Sequence, residues 1–187
     1  IIPTASITLY AKWAISAAYV SDTIKNLPDD GTVHTIALAG LITADVITEI
    51  RNTLAENPNI KVNLDLSATT GLTEIPDNAF FFYNYNEADG SETKIICANL
   101  VGIVLPKNIT SIGYCAFCET GISEIIIPDS VTKIGDDAFS WTKISEIVIP
   151  NSVTEIGEFA FCNSSISKIN IPDSVTEIGK YAFSGTD

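Results

Sequence analysis

The sequence predicts an α/β fold, a solenoid of 22-residue repeats behind a small N-terminal α/β cap. Three observations carry this expectation. "IPDSVTKIGDDAF" (127–139), "IPNSVTEIGEFAF" (149–161) and "IPDSVTEIGKYAF" (171–183) recur at a fixed interval of 22 residues. Single residue types keep that spacing in columns: Pro106, Pro128, Pro150 and Pro172; Gly113, Gly135, Gly157 and Gly179; Phe117, Phe139, Phe161 and Phe183. Upstream of the columns, a stretch with helical spacing lies between two strand-like runs. A fixed period of roughly 20–50 residues marks stacked supersecondary units, none of which can bury its apolar face alone.

The elements follow in chain order. Residues 1–15 read as the remnant of a preceding module or a linker, and 16–67 as the cap. Within the cap, 17–27 is a short helix and "HTIALAG" (34–40) a strand. "TADVITEIRNTLAENP" is a helix with Thr43 as N-cap, apolar residues at Val46, Ile47, Ile50 and Leu54, and Pro58 just past its end. "KVNLDLS" (61–67) alternates as a strand does. Residues 68–187 form the solenoid. "LTEIPDNAF" (72–80) matches "ITSIGYCAF" (109–117), and "LVGIVLP" (100–106) matches "ISEIIIP". The polar run "YNYNEADGSETK" interrupts this first unit as an insertion at about 82–95, a surface loop or hairpin.

Each later repeat reads as a short β-branched strand ended by proline, which has no N–H for a ladder. A second extended piece, "SVTKIG", follows, with glycine where the backbone turns sharply. "DDAFS" then makes one helical or 3₁₀ turn. Stacking repeats at the roughly 4.8 Å strand spacing places Phe over Phe and Ile over Ile. In "ISEIIIP", Ile125 and Ile127 point inward. The alternate positions then point out, with Glu124, Glu146 and Lys168 in one column and Val104, Ile126, Val148 and Asn170 in the next.

The net charge of −13 argues against a nucleic-acid partner, since phosphate binding needs a basic face. It also disfavours docking to anionic membranes, and no run approaches the roughly 20 apolar residues of a membrane span. No signal peptide is legible at the N-terminus. With no Met in the chain, a processed product or an excised fragment is expected.

The run "IPDSVTKIGDDAF…ISEIVIP" resembles the BspA-like class of leucine-rich repeats, whose pattern is a strand ending in I/L-P followed by S-V-x-x-I-G-x-x-A-F. Four such units cover 105–187, and "VNLDLSATTGLTEIPDNAF" (62–80) resembles the treponeme-type entry into these arrays. "ASITLYAKWA" (5–14) is similar to the last strand of an internalin-type B repeat. The resemblance implies an α/β-capped leucine-rich-repeat solenoid in an exported, cell-surface bacterial protein. It further implies a role in adhesion to an extracellular protein or glycan. Family repeats often carry Cys three residues after the Phe. Here those positions are Thr120, Thr142, Ser164 and Thr186, which matches a shorter variant.

Catalytic signatures are absent. The single histidine, His34, lies in a cap strand without a nucleophile elbow or phosphate-binding loop, and reads as structural or exposed. Cys115 and Cys118 form one C-x-x-C, but zinc would require a second pair at ligand spacing. "NEADGSE" lacks the ligand alternation of a calcium loop. No metal and no cofactor are therefore expected. A Cys97–Cys118 bridge fits the one-rung geometry, although free, semi-buried thiols are the expected state. The binding candidates are Val104, Ile126 and Val148 on the strand face, flanked by Glu124 and Glu146. To these are added Trp141 in the variable tip "SWTK" and Tyr83 and Tyr85 in the insertion. The bland readings stand beside them: β-branched residues are good strand formers, Trp141 can pack on a neighbouring rung, and the insertion can be decoration. The alternative to binding is a spacer, or an array that self-associates through an uncapped C-terminal end.

Overall fold

The computed structural model describes residues 5–14, 17–86 and 89–186. The cap comprises β1 (Ala5–Ala14), α1 (Ala17–Lys25), β2 (Val33–Leu41), α2 (Ala44–Glu56) and β3 (Lys61–Thr70). Then come β4 (Glu74–Ile75), a hairpin of β5 (Phe81–Asn86) and β6 (Ser91–Ile96), and β7 (Leu100–Val104). The remaining repeats contribute β8 (Ser111–Ile112), β9 (Ile125–Ile126), β10 (Lys133–Ile134), β11 (Glu146–Val148), β12 (Glu155–Ile156), β13 (Lys168–Asn170) and β14 (Glu177–Ile178).

Cap and solenoid share one parallel sheet in the order β1-β2-β3-β7-β9. β1 pairs in parallel with β2 from Ala5↔His34 to Tyr10↔Ala39, so these residues form the edge of the cap sheet. Residues 1–4 and 15, the rest of the segment read as a preceding module, lie outside the described residues, as does residue 16 of the cap. A second parallel ladder, β4-β8-β10-β12-β14, runs up the other side of the coil. From β7 and β8 onward both ladders advance by 22 residues per step, as in Ile103↔Ile125, Ile134↔Ile156 and Ile156↔Ile178. Beyond β9 the first ladder continues through single bonds such as Lys143 N–H to the Ile122 carbonyl, 3.0 Å, and then as the pair β11–β13.

α2 buries Val46, Ile47, Ile50 and Leu54, the face its spacing predicts. Thr43 departs from expectation. It is extended as an N-cap should be, with φ −121 and ψ 169, but its side chain makes no capping bond. The helix is held by packing and by the 2.8 Å bond between Ser21 Oγ of α1 and Thr53 Oγ1 of α2. Its C-terminus is closed from a distance by Asn99. This residue is 5% exposed, and its Nδ2 lies 2.9–3.0 Å from the carbonyls of Leu54, Asn57 and Ile60. Removing it takes a donor from three carbonyls, of which Leu54 and Asn57 keep a backbone N–H at 3.1 Å, and a buried acceptor left unmet costs about 1–3 kcal/mol. Asn99→Ala is accordingly expected to lower stability by about 2–3 kcal/mol in urea denaturation. An unchanged midpoint would exclude this role.

The core is one continuous cluster from Val20 to Ala182. Phe80, Phe117, Phe139, Phe161 and Phe183 stack face to face with ring centroids 5.3–5.5 Å apart. The repeated glycines serve a different purpose from the expected turn. None of Gly113, Gly135, Gly157 and Gly179 has a positive φ. A Cβ on Gly157 would instead lie 2.5 Å from the Asp136 nitrogen and 2.6 Å from the Gly135 carbonyl carbon, so glycine lets successive rungs approach. Nor is the following segment a helical turn. Cys115, Asp137, Phe159 and Tyr181 are left-handed, with φ 49–57. That conformation breaks any helix and makes consecutive tight turns closed by bonds such as Ala138 N–H to the Gly135 carbonyl, 3.3 Å.

Candidate functional site: the strand face and the hairpin

Alternation within the short strands sets the first surface. Ile125 and Ile127 are buried, whereas Ile126 between them is 82% exposed. Val104 is 50% and Val148 69% exposed. The ladder aligns Val104 with Ile126 and Val148 with Asn170. Ile126 and Val148 edge a shallow depression of about 350 Å³ that Glu146, Asp129 and Pro150 also line. Glu124 is exposed beside it. Glu146 pairs with Lys168 at 2.9 Å, both side chains being mostly in water. Such a pair contributes at most about 1 kcal/mol, which leaves Glu146 free to exchange partners.

The second surface is built by the insertion, which is a hairpin. β5 and β6 pair antiparallel from Phe81↔Ile96 to Asn86↔Ser91, and residues 87–88 of its tip lie outside the described residues. Arg51 of α2 stacks over Phe82 at 5.1 Å and donates to the Asn78 carbonyl at 2.9 Å, clamping the base. Phe81 packs on the other side against Cys115 and Cys118. Lys94 reaches across to Glu119 at 2.8 Å and ties the hairpin to the tip of the next rung. Tyr83 and Tyr85 project into solvent, about half exposed.

Glu119 begins a column that continues with Trp141, Asn163 and Gly185, all left-handed with φ between 51 and 71. Glycine and asparagine suit that conformation, whereas for a bulky side chain it is an outlier costing of order 1–3 kcal/mol. Trp141 holds it with φ 57 while 61% exposed, so packing on a neighbouring rung does not account for the residue. The eight candidates therefore fall into two groups, Val104, Ile126, Val148, Glu124 and Glu146 on the strand ladder and Trp141, Tyr83 and Tyr85 on the tip and hairpin.

His34 is buried rather than exposed. It is 1% exposed, and its Nε2 lies 2.9 Å from the Pro28 carbonyl and 3.2 Å from Thr32 Oγ1. All four cysteines are free. A Cys97–Cys118 bridge is excluded by packing, since Cys97 lies in the main core while Cys118 lies in the separate cluster under the hairpin. Cys97 donates to the Arg51 carbonyl, and burial pushes its thiol up to about 12. Among the described residues, no group of three His, Cys, Asp or Glu is placed to hold a metal ion, and no helix is long and apolar enough to cross a membrane.

The pattern of the BspA type Leucine rich repeat region matches residues 94–187 in six copies, half of the chain. The chain belongs to the BspA-type leucine-rich repeat family. Two crystal structures share the fold of this BspA-type array. A leucine-rich repeat protein from Bacteroides ovatus is 26% identical with a TM-score of 0.55, over 70% of this chain and 30% of its own. One from Eubacterium ventriosum is 30% identical with a TM-score of 0.52, over 81% of this chain and 36% of its own. The chain thus spans about a third of each of these proteins. No curated protein matches it.

Within this BspA-type array, the Thr/Ser column makes the same hydrogen bond in each repeat. Thr120, Thr142 and Ser164 are buried, and each hydroxyl donates to the carbonyl of the Phe three residues before it, at 2.7–2.8 Å. Thr186 does the same at 2.9 Å. The hydroxyl adds a second donor to a carbonyl that already closes the turn, as Thr120 N–H to Phe117 and Ser164 N–H to Phe161 do at 3.2 Å. The column was visible in the sequence, but this role was not, because it depends on the turn geometry.

Proposed function

We propose that this chain is a non-catalytic binding module of a cell-surface protein, which captures an extracellular protein or glycan on its strand face and hairpin. Membership of a repeat family suggests an interaction module. The observation that carries the reading further is the aliphatic column Val104, Ile126 and Val148. Its members are 50–82% exposed on successive strands while both sequence neighbours of Ile126 are buried. Strand propensity explains a β-branched residue at each site, but threonine would meet it without exposing aliphatic surface. Trp141, held exposed in a conformation that disfavours it, supports the same reading. Aromatic residues on adaptable polar surfaces, as Tyr83 and Tyr85 are, serve recognition well.

The test is saturable binding of the purified chain to immobilised extracellular-matrix proteins and a glycan array, with light scattering on the same sample. Ile126→Ser, Val148→Ser and Trp141→Asn are each expected to weaken capture roughly tenfold. The two serine variants leave stability unchanged within about 0.5 kcal/mol, whereas Trp141→Asn raises it by about 1 kcal/mol by relieving the left-handed backbone. A monomer that captures nothing would replace this reading with a spacer. A defined oligomer that captures nothing would point to self-assembly.

A further inference from the structure

In register with Cys115 stand Asp137, Phe159 and Tyr181, and with Cys118 stand Ser140, Cys162 and Ser184, so the C-x-x-C occurs in one repeat alone, and the binding reading does not use it. Cys118 N–H closes a turn onto the Cys115 carbonyl at 3.4 Å. Residues so related have Cα atoms within about 7 Å, and a disulfide spans about 4.4–6.8 Å. The turn thus holds two buried thiols three residues apart in one small cluster. From the next rung, Ser140 Oγ donates to the same sulfur at 3.2 Å. The Cys118 sulfur thus accepts from a hydroxyl of the next rung, and the adjacent Cys115 followed by Ser140 hold its thiol below the usual range.

The pair is 4–6% exposed, and what covers it is small. Phe81 and Ile96, cross-strand partners at the hairpin base, complete a cluster separate from the main core. A cover of this size opens locally without unfolding the coil.

We propose that Cys115 and Cys118 form a redox-active dithiol that closes to an intrachain disulfide by exchange with a small-molecule disulfide admitted under the hairpin base. The Cys118 thiolate attacks one sulfur of the oxidant, forms a mixed disulfide and releases one thiolate, which takes up a proton. Cys115 then loses its proton to water and attacks the Cys118 sulfur. The intrachain bond forms, and the second oxidant thiol leaves. The two cysteines are oxidised and one disulfide is reduced to two thiols. Cys97 has no partner for this step and lies at 0% exposure in the main core.

The experiment incubates the folded chain with glutathione disulfide, alkylates the remaining thiols and maps peptides by mass spectrometry. The peptide spanning 115–118 is expected to lose two hydrogens and carry no adduct, while Cys97 remains a thiol. Cys115→Ser is expected to trap glutathione on Cys118. Phe81→Ala is expected to speed oxidation about tenfold by lowering the cost of opening. If that variant fails to fold, the wild-type chain and Cys115→Ser decide the matter. The proposal is overturned if both thiols stay open to alkylation in the folded chain at oxidant levels that close the pair in urea. Stable glutathione adducts on both cysteines of the wild-type chain would also overturn it.

Discussion

Phe139→Ala is expected to remove about 3–5 kcal/mol of stability, close to the upper end for a single core truncation. The ring is fully buried and stacks on two others, Phe117 at 5.3 Å and 10° and Phe161 at 5.3 Å and 8°. Truncation loses the transfer energy of the ring and opens a cavity between rigid rungs that have little room to collapse. Each aromatic pair adds about 0.5–1.5 kcal/mol beyond burial, and here two are lost. The position matters as much as the chemistry. In a solenoid, stability is approximately a sum of repeat and nearest-neighbour terms, so a central gap uncouples the rungs on either side. Phe183 provides the comparison, being only partly buried and stacked on Phe161 at 5.4 Å. Phe183→Ala is expected to cost about half as much. Urea denaturation of the two variants measures the difference, and equal losses would refute the stacked-column account.

Gly157→Ala is expected to cost roughly 3 kcal/mol, although it adds one methyl to a residue whose φ alanine adopts readily. The new Cβ would meet the backbone of the rung below, 2.5 Å from the Asp136 nitrogen and 2.6 Å from the Gly135 carbonyl carbon, besides the Asp136 carboxylate. Backbone cannot rotate aside as a side chain can, so the rungs must separate. That would stretch bonds such as Gly157 N–H to the Ile134 carbonyl, 2.9 Å, and Glu158 N–H to Asp136 Oδ1, 2.7 Å. Gly90 has the opposite balance, with φ +72 and nothing within 4 Å of an added methyl. Gly90→Ala carries only the left-handed penalty of about 1–2 kcal/mol. If the two variants unfold at the same urea concentration, close approach is not the reason for the glycine column.

Sequence alone determined the repeat length, the core columns and the side of the strand each residue faces. The 22-residue spacing identifies Phe139 as a rung over Phe117, and period-two alternation sends Ile126 out and Ile125 in. Both signals are local, so stacking only multiplies what one repeat already states. The insertion was legible as a polar surplus for the same reason. Tertiary structure decided the rest, because it depends on residues far apart in the chain. Asn99 closes a helix that ends more than forty residues earlier. The glycines yield to a backbone one repeat away, and the Thr/Ser hydroxyls answer to a turn whose left-handed position holds glycine only at Gly185. Trp141 looks like any variable tip residue until its φ is known. The hairpin base covers Cys115 and Cys118 only because Lys94 and Arg51 pin it there. Periodicity predicts which residues stack, whereas the distances at which rungs and insertion meet are set by packing in three dimensions.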